Sequence, residues 1–248
     1  YSVRASKHTV VLIKNLHYFY SVRDRPCLLR CGMFNLSCLR INLSVKINNI
    51  YFRKLSKTRL IIASGNLKKV SEISEMLNVL NLEVIKQPDS LNVEETGKTY
   101  LENALLKAKA ASIKTNSWAL ADDSGLEVDF LEGKPGIFSA RYAKNNSEKL
   151  KKLLNELGDT PYRSARLISC MVLCDPSGEL VKESTGICWG EILKKPKYPD
   201  GEFESIFWVK EANRVYGELN DSQLSKLGSR GKAARELAPF LKKELGLN

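Results

Sequence analysis

With 248 residues and 43% apolar content, the chain is long enough for one large or two small domains with a buried core. No apolar run approaches the roughly 18 residues a bilayer crossing needs, because Lys14, Arg23, Lys46 and their neighbours interrupt every candidate. The net charge of +11 is local: the first 59 residues hold twelve Lys or Arg against one acid, Asp24, and the other 189 balance at 27 of each sign.

Residues 1–57 form a basic leader that opens on Tyr1, with one Gly, little periodicity and almost no acids. It reads as unstructured, as an organelle-targeting segment or as sequence outside the native protein, with a nucleic-acid arm as a further alternative. Both histidines, His8 and His17, lie in it, so the remaining residues have no imidazole. Ser-His-Asp and Cys-His catalysis and His-ligated zinc are therefore excluded there. Cys27, Cys31 and Cys38 show no CxxC spacing, and Cys170, Cys174 and Cys188 sit in apolar, strand-like sequence, as reduced core thiols of a cytoplasmic protein would.

The body, residues 58–248, opens as strand (60–63), tight turn (Ser64, Gly65, Asn66) and helix, whose apolar face is Val70, Ile73, Leu77 and Leu80. A second helix starts near Thr99, where "TYLE" has the form of a capping box. Leu101, Ala104, Leu105 and Ala108 make its apolar side, with Asn103 and Lys107 four residues apart on a different face. Residues 118–121 form a short strand that runs into Asp122 and Asp123 and then a Ser124-Gly125 turn, after which Leu126, Val128 and Phe130 alternate as a second strand. An amphipathic helix over 147–157, two strands near 163–174 and 179–193 joined by the "DPSG" turn, and a terminal helix over 231–245 complete the pattern. It predicts an α/β fold with a mixed central sheet flanked by helices.

Three segments could carry chemistry. "SGNLKK" places free N–H groups, a helix dipole and lysines where an anion would bind, although the same residues also serve turn geometry. "EETG" (94–97) is either a solvated acidic loop or half of a two-carboxylate site. Asp122 and Asp123, on opposite faces of a strand end, either cap the following turn, or one of them supplies the other half of the site while its neighbour anchors a loop or helix. Oxygen ligands from two segments suit Mg²⁺, and a carboxylate can serve as base for water attacking phosphorus.

The order "SGNLKK", "EETG", "ENALLKAKAA", "ADDSGLEVD", "GKPGIFSARYA" closely resembles the inosine triphosphate pyrophosphatase family, which hydrolyses dITP, ITP and XTP to the monophosphate and pyrophosphate. The resemblance runs from about residue 59 to the C-terminus. It implies an elongated, two-lobed α/β fold with a cleft, a Mg²⁺ requirement, a purine nucleoside triphosphate and water as reactants, a homodimer, and no membrane or nucleic-acid partner. Ser64, Gly65, Asn66, Leu67, Lys68 and Lys69 match the triphosphate loop, and Glu95 the metal-binding acid. Asp123 matches the metal ligand and proton acceptor, with Lys69 and Lys107 as catalytic cations and Asn103 and Ser124 as substrate contacts; Arg141 belongs to the Ser-Ala-Arg-Tyr segment.

The second half departs from the family. In "DGEFESIFWV", Phe203 and Glu204 stand at the family's Tyr and Asp, while its aromatic two residues earlier is Gly201. In "LSKLGSRG", Arg230 matches, Ser229 replaces a His and Leu224 a Lys. These changes fall in the base pocket. Altered base preference, or a nucleotide-binding paralogue with weak catalysis, are the alternatives they leave open.

Overall fold

The computed structural model describes residues 58 to 247, and the expectations for the leader lie outside them. Seven strands form one sheet in the order β2-β1-β3-β4-β5-β6-β7. They are β1 (Thr58–Ile62), β2 (Leu82–Lys86), β3 (Trp118–Val128), β4 (Ser164–Cys174), β5 (Leu180–Ile192), β6 (Phe207–Val209) and β7 (Arg214–Val215). β1 runs parallel to β2 and β3, and every later pairing is antiparallel. The helices are α1 (Leu67–Met76), α2 (Tyr100–Thr115), α3 (Asn146–Leu157), α4 (Asp221–Leu227) and α5 (Ser229–Glu244). The mixed sheet with flanking helices is the predicted class.

Period-two alternation along β1, β3 and β4 separates two cores. Leu60, Ile62, Leu120, Met171 and Leu173 pack against Ile73 and Leu77 of the first helix and Leu237 and Leu241 of the last. Ile61, Ala119, Ala121, Cys170 and Val172 meet Ala104, Ala108 and Ala111 of α2. Alanines on both sides bring that helix close to the sheet, which matters for the polar residues it carries. A third core at the far end joins Leu126 and Val128 to α3 and to Phe203, Ile206 and Phe207. The three described cysteines are free and buried, and burial pushes the thiols of Cys174 and Cys188 up to about 11. No helix among the described residues is long and apolar enough to cross a membrane.

Three local expectations change. Ser124 and Gly125 do not turn: β3 continues through them because β4 pairs with it from Ala119 to Val128. Thr99 does cap α2 by accepting from the Glu102 N–H, but the Glu102 carboxylate reaches Lys98 N–H at 2.6 Å, so the box is not reciprocal. The complete capping box is at α4, between Asn220 and Gln223. Asn103, buried, and Lys107, half-buried, share the sheet-facing side of α2 with its alanines rather than a different face, since both point at β3.

Gly186 on β5 lets α5 lie on the sheet. A Cβ there would meet the Ser229 carbonyl, the Ala233 amide nitrogen at 2.7 Å and the Lys232 side chain at 2.9 Å, two of them backbone atoms that cannot rotate away. Gly186→Ala is expected to lower stability by about 1–3 kcal/mol through overpacking. Gly65→Ala, with nothing within 4 Å of its Cβ, should stay within about 0.5 kcal/mol. Urea denaturation of the two variants checks the contrast.

Candidate active site

β1 ends at Ile62, paired with Leu120, whereas β3 runs on to Val128. From Asp122 to Ser124 the β1-side edge of β3 therefore has no strand beside it, and the Ser64–Lys69 loop leaves the sheet next to this gap. Farther on, residues 134–139 cover the edge, where the Leu126 N–H donates to the Ser139 hydroxyl and the Val128 N–H to the Lys134 carbonyl. Crevices at the carboxyl ends of parallel strands are where α/β sheets bind ligands. Asp122, Asp123 and Ser124 occupy this free edge.

Alternation sends the two aspartates to opposite faces. Asp122 is 1% exposed and faces α1 and α5. Its Oδ2 pairs with Lys69 Nζ at 2.9 Å and Arg230 Nε at 3.1 Å, and its Oδ1 accepts from the Ser169 hydroxyl. Arg230 also donates to Glu72 at 2.6 Å and to the Ser124 hydroxyl at 3.0 Å. Burial works to raise the Asp122 pKa, but the Lys69 and Arg230 charges outweigh it and hold the carboxyl well below the usual range.

Asp123 faces α2. Lys107 Nζ lies 2.9 Å from Asp123 Oδ1, 2.9 Å from Glu95 Oε1 and 3.0 Å from the Asp122 carbonyl. Asn103 accepts the Gly97 N–H on its Oδ1 and turns its Nδ2 toward Asp123 Oδ2 at 3.4 Å, which pins the acidic loop to the strand. Arg141 reaches the other oxygen of Glu95 at 3.0 Å. Burial, with the Glu95 charge as a lesser contribution, pushes Asp123 above the ordinary carboxylate value against the pull of Lys107. Glu95 moves the other way: burial opposes its charge, but Lys107 and Arg141 lower it. For Lys107 the cost of burial is outweighed by Asp123 and Glu95, and its pKa rises.

The anion loop is only partly as expected. Asn66 is the N-cap of α1, and its Oδ1 accepts from the N–H groups of Lys68 and Lys69 at 3.0 and 3.3 Å, so two of the amides an anion could use are engaged. The Ser64 hydroxyl accepts from the Asn66 N–H. Gly65 faces open space, Leu67 is 68% exposed, and Lys68 pairs with Glu204 at 3.3 Å. That pair ties the phosphate-loop segment to the 200–204 segment. Phe203 is buried in the far core, with its ring 6.3 Å from that of Tyr142. Ser229 is buried at the start of α5, against Tyr216.

The structure thus brings Lys69, Ser124 and Arg230 together around Asp122, and Glu95, Asn103 and Lys107 around Asp123. Sequence reasoning missed Glu72 and Ser169, whereas strand alternation already gave one of the two aspartates an anchoring role, and the structure makes that one Asp122. Glu72 sits three residues after Lys69 on α1, a spacing that places both on one helix face. Nothing in the sequence singles out Ser169.

Residues 60–240 match the model of the Ham1 family. The chain is 43% identical over 187 residues to a protein named dITP/XTP pyrophosphatase from Synechococcus sp. (strain CC9311), covering 75% of this chain and 91% of that protein. It is 39% identical over 179 residues to the dITP/XTP pyrophosphatase of Synechocystis sp. (strain ATCC 27184 / PCC 6803 / Kazusa), covering 72% and 92%. Among solved structures, a HAM1 protein from Coxiella burnetii superposes with a TM-score of 0.68 at 33% identity, over 75% of this chain and 99% of that one. The Staphylococcus aureus Ham1 protein gives 0.67 at 35% identity, over 75% and 100%. These matches bear out the resemblance carried by the five motifs.

The Asp122 cluster makes stability depend on acid. A carboxyl whose folded pKa lies below its unfolded value of about 3.9 contributes stability that is present above that value and lost as pH falls through the folded pKa. Urea denaturation across pH 2 to 7 should show stability falling below about pH 4. Asp122→Asn should flatten part of that fall and cost about 3–5 kcal/mol at neutral pH, because Lys69 and Arg230 lose their shared counter-charge.

Proposed function

Because this chain belongs to the Ham1 family and its matched relatives are named dITP/XTP pyrophosphatases, we propose that it hydrolyses deaminated purine nucleoside triphosphates, dITP, ITP and XTP, to the monophosphate and pyrophosphate. The observation that carries this reading is the Asp123 carboxylate at the open edge of β3, raised in pKa and oriented by Lys107 and Asn103.

In this reaction Asp123 takes a proton from water. The water oxygen bonds to the α-phosphorus, the bond from that phosphorus to the bridging oxygen breaks, and pyrophosphate leaves. A base whose pKa is raised by burial holds the abstracted proton better than an ordinary carboxylate. Lys107 fixes the Asp123 rotamer and keeps Glu95 within reach. Lys68 and Lys69 stand at the approach, paired with Glu204 and Asp122, and the open space beside Gly65 admits a phosphate to the backbone.

The residues present fit Mg²⁺. Glu95 Oε1, Asp123 Oδ1 and the Asp122 carbonyl converge on one ammonium, so this corner is already built around positive charge. Asp123 Oδ2 has only the 3.4 Å contact with Asn103, which leaves an oxygen for a hard cation. No group of three or more His, Cys, Asp or Glu that could hold an ion occurs among the described residues, as suits a cation that takes one or two carboxylates and completes its shell with phosphate and water. Glu95 and Asp123 would hold it; when bound, it supplies charge neutralisation at the phosphate oxygens.

The same reading includes a homodimer. α2 covers only part of its face of the sheet. Beyond it, Glu127, Arg166 and Trp189 stand side by side on β3, β4 and β5, with the Arg166 guanidinium 5.3 Å from the centroid of the Trp189 ring, itself 56% exposed. A large exposed indole on an uncovered sheet face supports an interface there. Sedimentation should give twice the chain mass, reduced to one chain by Trp189→Glu; a monomeric wild type removes the dimer.

The purified chain should release pyrophosphate from dITP and XTP in the presence of Mg²⁺ and stop on addition of EDTA. Asp123→Asn should lower kcat by about 10²–10⁴-fold. Turnover of dATP or dCTP in place of dITP would show a redirected pocket. Nucleotide binding without turnover would replace the enzyme with a binding module.

A further inference from the structure

The base pocket expected from the family lacks its aromatic at position 201, and Phe203 is committed to the core. What a purine would rest on is therefore set by the neighbourhood of Glu204, which the Lys68 ion pair holds beside the phosphate loop. An aromatic side chain of the loop between β5 and β6 lies there. A Cβ built at Gly201 would collide with Ser205 Cβ and sit 2.7 Å from Cε2 of Tyr198, so Ser205 and the Tyr198 ring together fill the space that a side chain at 201 would need. A Cβ at Gly217 would collide with the Tyr198 hydroxyl and lie 2.9 Å from Glu204 Cγ. Tyr198 is thus lodged between two glycines and beside Glu204, and it remains partly exposed. Burial, then the charges of Glu204 and Glu218, push its phenol up and keep the hydroxyl a donor.

We propose that Tyr198 is the platform on which the base of the nucleotide stacks, taking over from position 201, and that with Glu204 it sets base selectivity. This rests on the pyrophosphatase reading, since a nucleoside triphosphate with its phosphates on Ser64–Lys69 is what directs a base toward the 198–204 segment. The backbone supports a fixed platform: Lys197 N–H donates to the Ser205 carbonyl at 2.9 Å and closes the loop on itself. Gly201 and Gly217 give the ring its seat, because a side chain at either would evict it.

The test compares kcat/KM for dITP with kcat/KM for deoxyribose 5-triphosphate, which has the phosphates and sugar but no base. Tyr198→Leu, which keeps apolar bulk but has no π face, should lower the ratio of the two about tenfold, the scale of one lost base–aromatic stack. Tyr198→Phe should hold the ratio within about twofold, since the stacking ring remains. A ratio unchanged in Tyr198→Leu overturns the assignment and leaves the pyrophosphatase reading intact. A wild-type chain that turns over no nucleoside triphosphate overturns both.

Discussion

The Asp122 carboxylate, buried under β3 and neutralised by Lys69 and Arg230, is the interaction on which the site depends. A lone carboxylate in such surroundings would take up a proton rather than remain charged. Two cations and the Ser169 hydroxyl reverse that preference. Because the partners come from α1, α5 and β4, keeping the charge buried requires all three elements to be in place. The Ser64–Asn66 turn enters α1 three residues before Lys69, so its position follows from the same pair.

Two adjacent acids with opposite perturbations divide the labour across one strand. Asp122 is held strongly ionised and is consumed by structural partners. Asp123 is shifted the other way by burial and has a weakly engaged oxygen at the open edge. Environments that separate the pKa values of neighbouring carboxyls are how acid and base roles are assigned in active sites. Here the separation comes from strand pleating, which exposes one acid to Lys69 and Arg230 and the other to Lys107 and a second carboxylate.

Around residues 198–204 the organisation is different, and steric rather than electrostatic. The Lys68–Glu204 pair is largely solvent-accessible on the lysine side, with 69% exposure, and contributes little to stability. Its value is in orientation, joining the phosphate loop to the loop after β5. The seat of Tyr198 is shaped by two absent side chains, at Gly201 and Gly217.

Local patterns made much of the fold legible. The β1-loop-α1 unit, the cap at Thr99, and the β4–β5 pair around "DPSG" follow from hydrophobic period and turn chemistry, and the Asp175 carboxylate does organise that turn by accepting from Ser177 and Glu179. β2, the two-residue β7 and the seven-residue α4 were not anticipated, since each is too short to show a period and exists because its neighbours complete it. The sequence by itself determined the strand alternation that parts Asp122 from Asp123, the absence of imidazole from the body, and the motif order that identifies the family. Only the tertiary structure decided which charges meet: Asp122 with Arg230, Glu95 with Lys107, Lys68 with Glu204. Partners separated by as much as 136 positions leave no periodic signal, and their pairing is fixed by how α1, α2 and α5 pack on the sheet.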